Sequence, residues 1–149
     1  MSDTKYVFRG TTINFPGGKA ALSQGYTFTS AHPGKATLFA IECRQTFPND
    51  AVIYIAETES LKGIEITYNF FAKEEHEIVF ALLPVEFYKR AMGYVTLADM
   101  QDALAAVGHT VNHAARKDIL LELCQTLNPI SNEEIEALVK ALKPNIKKL

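Results

Sequence analysis

Residues 73–80 read Lys73-Glu74-Glu75-His76-Glu77-Ile78-Val79-Phe80, so that three carboxylates within four positions lead directly into an apolar, β-branched run. Carboxylates this close together repel one another, and each is more stable when it is solvated and far from the others. The run over residues 78–83 predicts a strand that ends at Pro84. Alternation along an extended chain places Glu75 and Glu77 on one face. Two carboxylates can therefore address one site, with Glu74 as a solvated neighbour.

Short apolar runs fill the first 95 residues and predict a β-rich half. Strands are expected over residues 6–8, 26–30, 51–56 and 64–66, and residues 86–95 read as extended. Thr27 and Thr29 should share one face of their strand, with Phe28 on the other. An aromatic loop over residues 68–72 leads into the acidic cluster. Because strands and helices do not alternate regularly, the pattern argues against a doubly wound parallel sheet.

Helical patterns occur once in the first half and dominate the second. Pro33 suits the first turn of a helix to about residue 45, with an apolar stripe of Ala36, Phe39, Ala40 and Cys43. From Thr96 onward, helices are expected over residues 96–107, 111–127 and 131–142, with capping-box patterns at Thr96/Asp99 and Ser131/Glu134. We therefore expect a core over residues 1–95 and a helical extension over 96–149 that packs on it.

Composition limits the function classes. The chain has 149 residues, 48% hydrophobic residues and a formal net charge of -2, which gives no electrostatic support for binding nucleic acid or anionic membranes. Cys43 and Cys124 form no C-x-x-C pattern, which argues against a disulfide framework or a thiolate zinc site. The N-terminus shows no signal-peptide pattern. We expect a cytoplasmic protein, or one delivered into a host or target cell by a specialised export route.

Two groups of residues have both a functional and a structural interpretation. Arg9, expected at the end of the first strand beside Gly10, suits a bound phosphate or carboxylate; taken alone, its pairing with a surface glutamate is the favoured interpretation. The hydroxyls of Thr29 and Ser30 could orient a ligand or a catalytic carboxylate, or could cap the helix that follows.

A metal site has little support in the sequence. His109 and His113 lie four residues apart and could bind a metal from one helix face. There is no H-E-x-x-H pattern and no evident third ligand, so no metal is expected.

The order of these motifs resembles that of the mono-ADP-ribosyltransferases of the arginine-serine-glutamate group, which are related to the cholera-type and clostridial toxins. The family's Y-R-G run is similar to Tyr6-Val7-Phe8-Arg9-Gly10-Thr11, its S-T-S motif to residues 27–30 followed by Phe39-Ala40, and its Glu-x-Glu motif to Glu75-His76-Glu77. The resemblance covers about residues 5–90. It implies an α+β fold, an ADP-ribosyltransferase-like split β-sandwich, here with a C-terminal helical extension.

The resemblance also implies roles for individual residues. Glu77 would act on the NAD ribose, Glu75 would assist an incoming arginine, and Arg9 would hold the phosphate and ribose region of NAD. The remaining cofactor-binding residues implied are Gly10, Thr11, Thr27, Thr29, Ser30 and Phe71. Thr29 or Ser30 would steady Glu77. Cleavage of the nicotinamide–ribose bond passes through an oxocarbenium-like state, which a fixed carboxylate stabilises.

The sequence departs from the family at Phe28. If residues 28–30 are aligned with S-T-S, the first serine is replaced by Phe28. If residues 27–29 are aligned instead, both outer positions keep a hydroxyl, on one face, and we prefer this alignment.

Three functions follow from the sequence. The first is transfer of ADP-ribose from NAD to a protein side chain, with arginine as the expected acceptor and nicotinamide released. The second is an NAD glycohydrolase, and the third is a non-catalytic binding module on the same fold. The expected partners are NAD, a protein acceptor and a cognate inhibitor protein. Residues 96–149 could serve as scaffold, as target-recognition module or as the inhibitor's surface.

Overall fold

A computed structural model describes residues 4–12, 26–46, 50–69, 77–111 and 127–148, and within them the chain is a mixed α and β protein. The strands are β1 (Tyr6–Thr12), β2 (Thr27–Ser30), β3 (Ala51–Glu57), β4 (Ile66–Asn69), β5 (Glu77–Phe80) and β6 (Gly93–Thr96). The helices are α1 (Pro33–Thr46), α2 (Pro84–Arg90), α3 (Leu97–Ala106) and α4 (Asn132–Leu142), with short 3-10 turns at Thr58–Leu61 and Lys143–Asn145.

The described strands form one antiparallel sheet in the order β4-β5-β2-β1-β3-β6. Strands β1 and β3 pair over all seven residues of β1, from Tyr6 opposite Glu57 to Thr12 opposite Ala51. Strands β2 and β5 pair along four residues, from Thr27 opposite Phe80 to Ser30 opposite Glu77. These two ladders form the middle of the sheet.

The junction between β1 and β2 is much weaker than either ladder. Within the described residues, Phe8 opposite Ser30 is the one registered pair between the two strands. Continuing this register would place Gly10 opposite Phe28, but the strands separate before that point. The sheet thus consists of two three-stranded halves, β4-β5-β2 and β1-β3-β6, which open away from a single pair.

Each face of the sheet has its own hydrophobic cluster, because side chains alternate between the two faces. On the first face, Phe8, Ile53 and Ile55 pack against apolar residues of α1, α3 and α4. On the second face, Val7, Tyr54 and Ile78 pack with Leu61, Phe87 and Ala91. The helices after residue 96 therefore share a core with the first strands.

Helix α1 lies so close to β1 that one position has no room for a side chain. A Cβ atom added at Gly10 would overlap the backbone oxygen of Ala36 and would lie 2.7 Å from the backbone nitrogen of Ala40. Small residues on α1 and a glycine on β1 therefore allow the two backbones to approach.

Two of the helix starts predicted after residue 96 are confirmed. Thr96 caps α3 by accepting a hydrogen bond from the Asp99 amide. Ser131 and Glu134 form the predicted capping box at the start of α4. Gly108, just beyond α3, has a φ of 87°, which suits a helix-ending glycine.

Several predicted bounds were wrong. Strand β1 runs to Thr12, because β3 pairs with all of it, so Arg9 lies within the strand and not at its end. The strand expected at residues 64–66 is β4, Ile66–Asn69, so residues 68 and 69 are not loop. The strand expected over residues 78–83 ends at Phe80.

The segment over residues 86–95 was also predicted incorrectly, since it is not one extended stretch. It contains most of α2, where Pro84 occupies the first turn and Phe87 is buried, and then β6 after Gly93. The helix expected over residues 111–127 and most of the loop expected over 68–72 lie outside the described residues. None of the described helices is both long enough and apolar enough to span a membrane.

Candidate functional site

A cavity of about 220 Å³ lies where β1 and β2 separate. Residues of both half-sheets and of α1 line it: Phe8, Arg9, Gly10, Thr11, Phe28, Thr29, Ser30, Ala36, Phe39 and Glu77. The opening of the sheet thus creates a cleft whose walls come from three separate stretches of the chain.

Most of the residues singled out from the sequence meet at this cavity. Arg9, Gly10, Thr11, Thr29, Ser30 and Glu77 all line it. Thr27 is not among the lining residues, and Glu75 and Phe71 lie outside the described residues.

Arg9 bridges the gap between the half-sheets. Its Nη1 donates to the backbone oxygen of Phe28 at 2.9 Å, and its Nε donates to the Tyr88 hydroxyl at 3.0 Å. No carboxylate among the described residues forms an ion pair with Arg9, so these residues do not support the surface-pair alternative. A guanidinium has five N–H donors, and these two bonds leave others available to an anion in the cleft.

Glu77 begins β5 and is partly buried. It lies opposite Ser30, which in turn lies opposite Phe8, so the three side chains share the first face of the sheet. Arg9, one residue after Phe8, belongs to the second face. The carboxylate and the guanidinium thus reach the cleft from opposite faces of the sheet, with the opening between β1 and β2 between them.

The expected alternation in β2 is confirmed, but its threonine face is not the face of Glu77. Thr27 donates its hydroxyl to the backbone oxygen of Leu82 at 2.8 Å, and Thr29 donates to that of Ile78 at 2.9 Å. Both hydroxyls therefore bind backbone on the second face. Ser30, and not Thr27 or Thr29, is the hydroxyl residue of β2 that lies on the same face as Glu77.

Aromatic rings form the apolar part of the cleft. Phe28 is 38% exposed, and Phe39 of α1 is partly buried. Phe28 lies on the first face of the sheet, as Glu77 does, because Val79 opposite it is two residues from Glu77. The two rings give the cleft an apolar part beside the polar side chains of Arg9, Ser30 and Glu77.

A tyrosine cluster lies behind Arg9 on the second face. Tyr54, opposite Arg9 in the β1–β3 ladder, stacks on Tyr88 with ring centroids 4.0 Å apart and an interplanar angle of 20°. Tyr94 tilts against Tyr54 at 5.4 Å. Burial, reinforced by the neighbouring Tyr88 and Tyr94, raises the pKa of Tyr54 to about 12, so this hydroxyl stays neutral at physiological pH.

The start of α1 depends on a residue that the sequence interpretation missed. His32 Nδ1 accepts a hydrogen bond from the Gly34 amide at 3.0 Å, and the backbone oxygen of His32 accepts from the Lys35 and Ala36 amides. Ser30 Oγ accepts from the His32 amide at 3.1 Å. The histidine is thus the cap of α1, which a search for Ser, Thr, Asp or Asn before the helix does not find.

Sequence signals for Tyr88 were also absent. The sequence around it predicts an extended segment. In the structure Tyr88 lies on α2, which packs against β3 and brings the Tyr88 ring onto Tyr54.

The described residues offer no group of three or more His, Cys, Asp or Glu side chains that could hold a metal ion. His109 Nε2 lies 3.1 Å from Glu134 Oε2, and His113 lies outside the described residues.

Comparison with protein-family models, with curated proteins and with solved structures found no match for this chain.

Proposed function

We propose that this chain is an NAD-dependent mono-ADP-ribosyltransferase that transfers ADP-ribose to a protein side chain, with arginine as the acceptor, and releases nicotinamide. The observation that carries the proposal is the meeting of Arg9, Ser30 and Glu77, from three separate stretches of sequence, at one cleft. The division of the sheet into two half-sheets supports an ADP-ribosyltransferase-like split β-sandwich.

The two charged residues of the cleft match two parts of NAD, the pyrophosphate and the ribose that carries the nicotinamide. Arg9 supplies a guanidinium for the pyrophosphate, which it can bind with two parallel hydrogen bonds. Glu77, on the other face of the sheet, supplies a carboxylate for the ribose next to the nicotinamide. The cavity of about 220 Å³ is smaller than the roughly 300–1,000 Å³ of typical ligand pockets. The proposal therefore places only the reacting half of NAD, from the nicotinamide to the pyrophosphate, at this cleft.

The chemistry assigns one bond breakage and one bond formation to this site. The bond between C1′ of the ribose and the nicotinamide nitrogen breaks, and both its electrons leave with the nicotinamide, which becomes neutral. The carboxylate of Glu77 stabilises the positive charge that develops on the ribose. A guanidine nitrogen of the acceptor then attacks C1′ and loses a proton, for which Glu75 is the proposed acceptor on the basis of the family resemblance.

A non-catalytic binding module is the second candidate, because one observation favours it. Phe28 lines the cleft at a position where the S-T-S alignment has a hydroxyl. Such a module would keep the cleft and its ligand but would not turn NAD over.

Incubation with labelled NAD and a cell lysate tests the proposal. The wild-type chain should label protein and release nicotinamide, and Glu77→Gln should lower both by at least about 100-fold, because it removes the charge that stabilises the transition state. The matched control is Glu65→Gln, at an exposed carboxylate outside the cleft, which should retain full activity.

Each other outcome has a defined meaning. Nicotinamide release without labelled protein would indicate an NAD glycohydrolase. NAD binding by calorimetry without turnover would indicate a binding module. Equal labelling by wild type and Glu77→Gln would refute the catalytic role of Glu77, and a lack of binding at millimolar NAD would refute the proposed function.

A further inference from the structure

Tyr88 contacts Arg9 through its hydroxyl, a contact that the packing of the tyrosine ring does not require. Its hydroxyl accepts a hydrogen bond from Arg9 Nε at 3.0 Å, although the two residues are 79 positions apart in sequence. The hydroxyl approaches Arg9 from the second face of the sheet, where Tyr88 packs with Tyr54, so it lies behind the arginine with respect to Glu77.

The ring that carries this hydroxyl is held in place by its neighbours. Tyr88 stacks on Tyr54, which is 5% exposed and anchored in β3, and it meets Phe87 edge-on at 6.0 Å. Helix α2, which carries both Phe87 and Tyr88, is fixed by the burial of Phe87 and Pro84. The position of the hydroxyl is therefore defined by two packed elements.

The two bonds of Arg9 fix the guanidinium plane. The Tyr88 hydroxyl accepts from Nε on the second face of the sheet, and the Phe28 backbone oxygen accepts from Nη1 on β2, in the other half-sheet. The guanidinium is therefore bound at two of its nitrogens. Two anchors on a planar group determine its orientation as well as its position. The N–H groups on Nη2, together with the second one on Nη1, are then the donors left for an anion.

We propose that Tyr88 is the positioning residue of this site, holding the Arg9 guanidinium so that its free N–H donors face the cleft and bind a phosphate of the ligand. The inference rests on the proposed function, in which that phosphate belongs to NAD. Tyr88 touches no reacting atom, and its effect passes through Arg9.

The test compares Tyr88→Phe, which removes the hydroxyl and keeps the stacked ring, with Tyr94→Phe, which removes a hydroxyl from the same cluster without a bond to Arg9. Tyr88→Phe should raise KM for NAD by about tenfold, as expected for loss of a hydrogen bond to a charged group, and should leave kcat within about twofold. Tyr94→Phe should change neither. Calorimetry should show the same loss for ADP-ribose, which carries the phosphates, and no loss for nicotinamide, which carries none.

A second measurement reads the orientation of Arg9 without any ligand. The Nε–H resonance of Arg9 should be a slowly exchanging NMR signal in the wild type and in Tyr94→Phe, and should exchange fast in Tyr88→Phe. If the signal is equally protected in Tyr88→Phe, or if KM is unchanged, Tyr88 does not position Arg9. A fall in kcat and melting temperature together would likewise reassign it to a structural role. A wild-type protein that does not bind NAD but shows the expected Nε–H contrast would refute the proposed function and leave the positioning of Arg9 standing.

Discussion

At the scale of single residues, the face of the sheet on which a side chain lies determines which groups of the cleft it can contact. Arg9 was expected at a strand end, yet it lies within β1 and reaches the cleft because β2 separates from β1 beside it. Thr29 was expected to serve the site with Thr27, but both hydroxyls bind backbone, and Ser30 shares the face of Glu77. The face of a residue depends on register, which is a property of paired strands and not of one strand.

Tyr54 carries a prediction about alkaline pH. Its pKa is raised to about 12, first by burial, so its contribution to stability is complete below its ordinary pKa of about 10 and is lost as pH rises toward 12. Between pH 10 and 12 the wild type should therefore lose more melting temperature than Tyr54→Phe, as followed by circular dichroism. The exposed Tyr26→Phe is the control and should behave as wild type. Equal alkaline losses in wild type and Tyr54→Phe would contradict the prediction.

At the scale of helices and strands, prediction succeeded where local chemistry determines the element. The helix at Pro33, the buried strand at residues 51–56 and the capping box at Ser131 carry their own signals in consecutive residues, and the structure has all three. Helix α2 has only seven residues, too few for an apolar stripe to repeat, so a long-range contact with the sheet selects its conformation.

The capping box of α4 makes a prediction about acid. The pKa of Glu134 is lowered, chiefly by the hydrogen bond from the Ser131 amide and next by the one with His109. A lowered pKa stabilises the fold above the ordinary value of about 4.3, and this stabilisation is lost as pH falls through the lowered value. Glu134→Gln should thus melt below wild type at pH 7, and the difference should shrink as the pH falls below about 4.3, in thermal scans at pH 7 and at about pH 3.

Glu133→Gln is the matched control, because Glu133 is exposed in the same first turn and takes no part in the box. It should show a smaller pH-dependent difference from wild type. A difference between wild type and Glu134→Gln that persists unchanged at pH 3 would show that the carboxylate charge is not responsible.

At the scale of the whole molecule, the sequence predicts a helix over residues 131–142 that packs on the core, but not which residues cover it. Leu138 and Leu142 are fully buried in the same cluster as Phe8 of β1 and Met100 of α3. The i, i+4 spacing shows that these leucines need a partner but contains nothing about which surface covers them. The order of strands in the sheet cannot be predicted either, because the sequence of one strand does not determine which strand pairs with it.

Leu138→Ala tests whether the last helix belongs to the same folding unit as the sheet. Removing this buried side chain should cost about 2–5 kcal/mol, and urea unfolding followed by circular dichroism should remain one transition. The exposed Lys140→Ala should stay within about 0.5 kcal/mol of wild type. Two separate transitions in Leu138→Ala would indicate that α4 unfolds independently of the sheet.

The two half-sheets have a consequence for how the chain folds. Strands β1, β3 and β6 form one half and β2, β4 and β5 form the other, so the polypeptide passes from one half to the other four times. No contiguous fragment contains all the strands of one half-sheet without a strand of the other. A chain that ends before Gly93 lacks β6, the edge strand of the β1-β3-β6 half-sheet. Pairings between such distant segments require the closure of long loops, which slows folding, and the cleft can form only after the chain has been made as far as β5.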